Sequence, residues 1–399
     1  MPETLISAFT RRVLLFYLYS LFIPHLSIAQ TLGKTQSPSG QRMQPLQDDA
    51  SRAFNSQAED ELKTGTALTR RGNFSEAIPH ILAARGKVAN EYAASFNLAL
   101  CYVGTQEYKK AIEILNDLLN DSHEPANDSA NIENLLSQAY VGNDQGNEAF
   151  AALEKAAVLT PQNEKLYLLV ADACSGHSDF ALGLRVVDVG LKNLPQSARL
   201  HYQRAMFLWQ LDQFDRAKAG FKLAGKFGKG TDMGYISPAH EALLSGNVPD
   251  AVKIARDGVS KGFDNPVLLT ILGEALVRSG VAPGEPGFTE AQNALEKAVS
   301  ARPNDATAQI ALGQIDLVTG NVNDAIAHLE RARQIEPDQP SVYASLGKAY
   351  QRSGDSQRSQ QAFAMLEKLN EAQAEKIRSA PGDRKMGYVG DADAEPSHR

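Results

Sequence analysis

The chain has 399 residues, of which 43% are hydrophobic and 22% charged, so it contains enough apolar material for a large folded core. Its 40 Lys and Arg against 47 Asp and Glu give a formal net charge of −7. This acidic balance argues against a nucleic-acid-binding protein, which normally carries a basic excess on one face. Its 2 cysteines exclude a disulfide framework and a four-cysteine metal site.

The first 29 residues have the order of a secretory signal peptide. Arg11 and Arg12 precede an apolar run over 13–23, and small residues lead up to Ala29. The apolar run is shorter than the ~20 residues that a membrane-spanning helix needs. We therefore predict an exported protein, periplasmic or secreted, that is cleaved after Ala29. The alternative is an uncleaved membrane anchor over 13–29.

Two further segments contain almost nothing to bury. Residues 30–47 are rich in Gln, Ser, Gly and Pro, and residues 380–399 have a similar composition. Such composition predicts a disordered linker and a disordered tail. The folded region is expected over 48–379.

A pattern with a period of 34 residues recurs between these ends. A Gly-Asn pair, an apolar residue and Ala appear in 72–77, 246–251 and 320–325. Two helices approach within ~8–10 Å only where the residues between them are small. A second small residue lies twelve positions before eight of the nine anchors, and in the seventh copy it is Gly273, so the pattern predicts helix hairpins. The anchors of the nine copies are Ala77, Ala111, Ala149, Gly183, Ala217, Ala251, Ala291, Ala325 and Ser359.

This pattern resembles the tetratricopeptide repeat (TPR), which has the same period. The resemblance covers 58–373 and implies an all-α fold, a right-handed α-solenoid (superhelix) of about nine TPR helix hairpins with a terminal capping helix. Too few residues remain outside it for a separate catalytic domain. The residues that carry the resemblance are Leu272-Gly273, Leu312-Gly313 and Leu346-Gly347, with Tyr102, Tyr140 and Tyr350 at an aromatic position.

The resemblance also implies a binding groove. In the TPR family, four positions of each first helix face a concave surface that holds a peptide segment or a partner helix. Successive Tyr, Met and Trp side chains are typical of such a binding surface. The predicted groove residues are Phe96, Leu100, Asn134, Gln138, Leu168, Asp172, Arg199, Tyr202, Met206, Trp209, Ile236, His240 and Leu243.

We therefore predict a non-catalytic protein-interaction scaffold of the cell envelope or secreted space, with no cofactor, no metal and no nucleic-acid partner. Two other functions stay open. One is a membrane-tethered subunit of an assembly or secretion complex. The other is an enzyme subunit whose titratable groups would be Asp172, His240 and Glu274. The aromatic side chains could also pack inside the solenoid instead of facing a ligand.

Repeat 6 departs from the pattern. Pro238 falls inside its first helix, so we expect this helix to start late, with Ser237 as the N-cap. Repeat 6 is then either a hinge or a degenerate repeat. Residues 281–287 are expected to form an inserted loop, and a short helix ending at Phe54 is expected to cover the first repeat.

Overall fold

The structure, a computed structural model, describes residues 47–120 and 126–379, so the predicted signal peptide, the tail and all of the linker except Gln47 lie outside the described residues. Those ranges form eighteen α-helices and contain no strand. None of these helices combines the length and hydropathy needed to cross a bilayer. The helices are α1 (Gln47–Arg70), α2 (Phe74–Ala84), α3 (Glu91–Gly104), α4 (Tyr108–Asn120), α5 (Ala126–Gly142), α6 (Gly146–Leu159), α7 (Glu164–Gly176), α8 (Phe180–Asn193), α9 (Ala198–Gln210), α10 (Phe214–Phe227), α11 (Met233–Leu244), α12 (Val248–Ser260), α13 (Pro266–Arg278), α14 (Pro286–Ala301), α15 (Ala306–Thr319), α16 (Val322–Ile335), α17 (Pro340–Ser353) and α18 (Ser356–Ser379).

The helices follow one another as nine hairpins, from α1 and α2 to α17 and α18. Each helix contacts its hairpin partner, and each hairpin contacts the next one in the chain. Every inter-helix contact in the described ranges joins elements at most two positions apart. This is the contact pattern of a solenoid, so the predicted all-α solenoid is confirmed.

Small residues mark the places where the two helices of a hairpin touch. All eighteen predicted positions are buried. A Cβ atom added at Gly313 would lie 2.6 Å from Cγ of Leu329, closer than any side chain tolerates. Where serine replaces glycine or alanine, its hydroxyl needs a partner, and Oγ of Ser137 donates to the carbonyl oxygen of Ala149 at 2.6 Å. The small residues therefore set the spacing of the helices.

A left-handed residue makes the turn inside the hairpins. The residue five positions before the anchor has a positive φ in every hairpin except the seventh, whose turn carries the insertion. Glycine adopts this conformation without steric cost, which explains the recurring Gly-Asn pair. The residues at this position, with φ between 57° and 85°, are Gly72, Gln106, Asp144, Ser178, Asp212, Gly246, Gly320 and Gly354.

The first helices of the hairpins line the inner side of the curve. Each of them, from α1 to α17, contacts the next first helix along the chain. Among the second helices in the described ranges, only α6 and α8 contact each other. Since elements on the inner side of a curved stack lie closer together than those outside, the face formed by the first helices is the concave face.

The first helix of repeat 6 starts earlier than predicted. α11 begins at Met233, whose amide donates to the carboxylate of Asp232 at 2.8 Å, and Pro238 lies inside the helix. Ser237 is therefore not the N-cap; its Oγ donates to the carbonyl oxygen of Phe221 in α10 at 2.8 Å. This bond between neighbouring helices holds the segment in a helix despite the proline, so tertiary packing overrides the local preference.

The start of the fold also differs from expectation. The residues up to Phe54 are part of α1 and do not form a separate capping helix. At the other end, α18 continues to Ser379 as the long second helix of the last repeat. Phe363 of α18 is 38% exposed, whereas the equivalent side chain is buried in all eight earlier repeats, each of which contacts a following hairpin. The stack therefore ends in an open apolar edge.

The inserted loop of repeat 7 is shorter than predicted. α14 begins at Pro286, so the last two residues of the 281–287 segment are helical. Proline has no amide hydrogen to donate, and at the first helical position that hydrogen would have no partner within the helix, so proline fits there.

The two cysteines, Cys101 and Cys174, are buried and do not pair with each other.

Candidate functional site on the concave face

Three predicted groove residues form a stripe on α9, spaced four and three residues apart. Tyr202, Met206 and Trp209 each keep part of their surface accessible. The ring of Trp209 meets that of Phe214 edge-on, with centroids 4.8 Å apart, and Phe214 is 44% exposed. We call Tyr202, Met206 and Trp209 the α9 stripe. It offers aromatic and thioether groups to a ligand.

Three of the predicted groove residues are core residues. Leu168, Ile236 and Leu243 are only 8%, 2% and 1% exposed. Ile236 and Leu243 pack in the cluster formed by repeats 6 to 8, and Leu168 in that of repeats 3 to 5. Their assignment as ligand contacts is therefore corrected. The tight stacking of the first helices covers these positions.

Two polar groove residues are also buried, and they bind neighbouring groups of the protein. Asn134 donates from Nδ2 to the carbonyl oxygen of Leu166 at 2.8 Å, which links α5 to α7. Gln138 donates from Nε2 to Oδ1 of Asn134 at 2.9 Å. Buried polar groups need such partners. Their role is to join repeats 3 and 4, and their assignment as ligand contacts is corrected as well.

The remaining predicted residues are partly accessible. Phe96 stacks on Tyr92 with ring centroids 5.6 Å apart, and Leu100 lies one helical turn further on. Arg199 lies 3.6 Å from a carboxylate oxygen of Glu164. The concave face thus has accessible apolar side chains in repeat 2 and on α9.

Tyr202 and His240 connect the α9 stripe to repeat 6. Oη of Tyr202 lies 2.7 Å from Nδ1 of His240, and the ring of Phe221 lies edge-on to that of Tyr202. Burial lowers the pKa of His240 to about 4. Burial also raises the pKa of the Tyr202 hydroxyl, with the charge of Arg302 opposing the rise. At neutral pH the bond therefore joins a neutral tyrosine hydroxyl to an uncharged imidazole.

Arg302 and Asp305, in the turn between α14 and α15, were not predicted from the sequence. The guanidinium of Arg302 lies 3.7 Å from Oδ2 of Asp305, and the two side chains are 12% and 8% exposed. Asp305 also accepts from Oγ1 of Thr270 at 3.0 Å and from the amide of Ala308 at 3.1 Å. The turn thus places an enclosed ion pair against the concave face, within electrostatic range of Tyr202.

Three more carboxyl groups are enclosed near this ion pair. Burial raises the pKa of Asp172 in α7 to about 8, and the positive charge of Arg302 opposes that rise. Burial raises the pKa of Glu336 to about 7, and the charge of Asp305 adds to it. Burial also raises the pKa of Glu274, although Arg278 lies 3.4 Å away. All three keep some accessible surface, so enclosure between helices, not complete removal from water, causes the shifts.

Arg302 acts on Asp172 and Tyr202 although repeats 4 and 5 precede it by two or more repeats. The charge of Arg302 therefore acts on residues of earlier repeats that are not its neighbours in the chain. Arg302 and Glu336 occupy the same turn position in successive repeats, one period apart, and this recurrence of charged residues is visible in the sequence. The concave face between repeats 4 and 9 is the candidate site.

Asp172, His240 and Glu274 have separate surroundings, and no hydrogen bond joins any two of them in the described ranges. No group of His, Cys, Asp and Glu side chains suited to a metal ion occurs in the part of the chain that the structure describes.

Comparison with known proteins identifies the repeats. Two tetratricopeptide-repeat family models match residues 62–131 and 288–349. No curated protein sequence matches the chain. Among solved structures, a chain of the APC/C hetero-tetramer Cut9–Hcn1 is similar at 15% identity, with a TM-score of 0.46 over 76% of this chain and 58% of that one. This chain therefore spans less than two thirds of that protein's length.

Two other structures are similar to the same extent. A tetratricopeptide repeat protein from Parabacteroides merdae is 15% identical, with a TM-score of 0.45 over 65% of this chain and 98% of that one. The human IFIT1 dimer with PPP-AAAA is 14% identical, with a TM-score of 0.47 over 83% and 84%. The family models thus identify tetratricopeptide repeats in two parts of the chain, and both parts belong to the one stack of nine hairpins.

Proposed function

We propose that this protein is a non-catalytic scaffold that binds a peptide segment or a helix of another protein on its concave face. Tetratricopeptide repeats generally form such scaffolds, and the described part of the chain consists of them. The observation that carries the proposal is the α9 stripe. Tyr202, Met206 and Trp209 keep accessible surface on a face where neighbouring first-helix side chains are buried.

The chemistry of the stripe suits a protein ligand. Tyr and Trp offer large apolar surfaces with few rotatable bonds and dominate many binding interfaces. The flexible thioether of Met206 adapts to different side chains. Since Asp172, His240 and Glu274 form no hydrogen-bonded group, the site favours binding over an enzyme subunit.

The proposed location is the cell envelope or the secreted space. It rests on the signal-peptide pattern of residues 1–29, and the alternative is a tethered assembly or secretion-complex subunit held by 13–29. N-terminal sequencing of the protein from its host decides between them. A chain that starts at Gln30 supports export, and a chain that retains residues 13–29 supports the tether.

Site-specific photo-crosslinking tests the binding face. A photoreactive phenylalanine analogue replaces Met206 in one variant and Val158 in another, and both are expressed in the host. Val158 is the matched control, because it lies on a second helix and is 81% exposed. A protein adduct at position 206 that is absent at position 158 supports the proposal. Equal adducts at both positions, or an adduct only at 158, contradict it.

A further inference from the structure

One second helix of the stack is strongly basic. α10 carries Arg216 and three lysines against a single acidic residue, Asp215, which gives it a net charge of +3. Each of the other second helices has a net charge between −1 and +1. The chain as a whole has a net charge of −7. The positive charge of α10 is therefore a local feature of repeat 5.

The lysines of α10 lie in one row. Lys218, Lys222 and Lys226 follow one another at intervals of four residues, and Lys229 comes three residues later, just after the helix ends. Residues at these intervals lie on the same face of a helix. All four lysines are exposed, whereas Phe221, on the opposite face, is fully buried. We call the four lysines the α10 row, and they form the outer face of this helix.

No other helix covers the α10 row. Within the described ranges, α10 contacts only α9 and α11, which are first helices on the concave side. None of the four lysine side chains makes an ion pair or a hydrogen bond in the part of the chain that the structure describes. Nζ of Lys226 lies 5.8 Å from the centroid of the Phe227 ring. The row therefore presents unpaired positive charges on the outer side of the stack.

The spacing of the row lets its charges act together. At a rise of 1.5 Å per residue, lysines four residues apart are separated by about 6 Å along the helix axis. This separation is shorter than the Debye length of about 8 Å at physiological ionic strength, so the potentials of neighbouring lysines add. The complementary partner is a surface with several negative charges side by side.

The composition of the row favours a lipid surface over a protein or a nucleic acid. Lysine is depleted at protein–protein interfaces, where arginine and aromatic residues are enriched. Nucleic-acid recognition also favours arginine, because its planar fork pairs with a phosphate through two bonds. Lysine is a hydrated point charge on a flexible stem, and clusters of lysines are attracted to anionic headgroups without a fixed geometry.

An exposed aromatic ring continues the row. Phe214, one helical turn before Lys218, is 44% exposed. Helices that lie on a bilayer surface commonly combine lysines with phenylalanine or tryptophan side chains. The start of α10 therefore adds an apolar contact to the charged ones.

We propose that the α10 row binds the anionic phospholipid headgroups of a bilayer surface. α9 packs against the buried side of α10, so binding through the row leaves the α9 stripe directed away from the lipid. The concave face then stays open to a partner protein. This inference adds a second binding surface to the proposed function and does not rest on it.

Vesicle co-sedimentation tests this inference. The chain, purified from its host, is mixed with vesicles of phosphatidylcholine and phosphatidylglycerol, and separately with vesicles of phosphatidylcholine alone. We expect binding to the anionic vesicles that weakens as salt is added. Each lysine near an anionic bilayer contributes about fivefold to binding, so Lys218→Gln/Lys222→Gln/Lys226→Gln is expected to bind about tenfold or more weakly.

Two further variants control for net charge and for folding. Lys109→Gln/Lys297→Gln/Lys368→Gln removes the same charge from exposed positions on three other second helices. We expect it to bind the anionic vesicles like the wild type, because its lysines do not form a row. Replacing the same three lysines of the α10 row by arginine keeps their charge and is expected to keep the binding. Residues 1–29 are the same in every variant.

The outcomes decide between the partners. Equal losses in the two glutamine variants, or equal binding of the wild type to both kinds of vesicle, would overturn the inference. It is also wrong if the anionic vesicles do not bind while a DNA duplex or an acidic peptide binds through the row. Loss of binding with the glutamine row variant alone, together with retention in the arginine variant, supports it.

Discussion

Tyr202 and His240 are joined by a hydrogen bond of 2.7 Å between Oη and Nδ1, which connects the first helices of repeats 5 and 6. Burial lowers the pKa of His240 from 6.5 to about 4, so the ring stays neutral in the folded protein over a range where it charges in the unfolded chain.

This difference predicts a loss of stability in acid. Between pH 6.5 and pH 4 the unfolded state binds the proton more tightly than the folded state, so the free energy of unfolding falls as the pH falls. The full shift would correspond to about 3 kcal/mol, and partial contact with water reduces it. We expect His240→Gln, which does not titrate, to lose less stability than the wild type over this range in urea denaturation.

Comparison with the variant isolates this effect. The raised pKa values of Asp172 and Glu336 act in the opposite direction. Between about pH 4 and pH 8 the folded state binds their protons more tightly than the unfolded state, so these two groups lower the free energy of unfolding as the pH rises. Both groups are present in wild type and variant, so the difference between the two curves belongs to His240. Parallel curves from pH 7 to pH 4 would contradict the prediction.

The left-handed turn residue gives a second prediction. Ser178 has φ of 57° and Gly320 has φ of 85° at equivalent turns. A side chain in this region costs roughly 1 kcal/mol relative to glycine. Ser178→Gly is therefore expected to raise the free energy of unfolding by up to about 1 kcal/mol, and Gly320→Ala to lower it by a similar amount. Chemical denaturation of both variants checks the opposite signs, and changes of the same sign would refute the explanation.

Asp305 is expected to be important for stability between repeats 7 and 8. It accepts from Thr270 of α13 and from the amide of Ala308 at the start of α15, and it pairs with Arg302. Asp305→Ala removes the helix cap and leaves an enclosed guanidinium without its partner, so we expect a loss of about 2–3 kcal/mol. Asp305→Asn keeps the cap and should lose less. Equal losses in thermal denaturation would show that the ion pair contributes nothing.

Phe221 and Phe363 provide a matched pair, since both lie four residues after the anchor of their repeat. Phe221 is fully buried, and Phe363 is 38% exposed at the open end of the stack. Phe221→Ala is expected to cost about 3–5 kcal/mol through the cavity that it leaves. Phe363→Ala should cost clearly less, because part of its ring is already in contact with water. A larger loss at Phe363 would indicate that another part of the protein covers this edge.

Sequence alone predicted the architecture because the architecture is repetitive. One close contact per hairpin requires small residues, and the requirement returns every 34 residues, as at Gly313 and Leu329. The start of α11 was predicted wrongly because local preference at Pro238 yields to the bond between Ser237 and Phe221. Local rules cannot anticipate a bond to a neighbouring helix.

The candidate site was less predictable. The groove positions of a single repeat do not reveal how closely the next first helix packs. Ile236 and Leu243 were therefore assigned to the groove, although the structure buries them. Arg302 and Glu336 lie in turns, outside the helical positions that the family pattern assigns to the groove. The charge of Arg302 acts on Asp172 and Tyr202 in earlier repeats, and the pattern of a single repeat cannot show such an effect.

The contacts between first helices also determine how the molecule can deform. The inner line of helices is continuous, whereas the second helices are mostly separated from one another. We therefore expect a small tilt of one hairpin against the next to change the gaps between second helices while the contacts between first helices persist. We expect the width of the concave face to follow the same tilt.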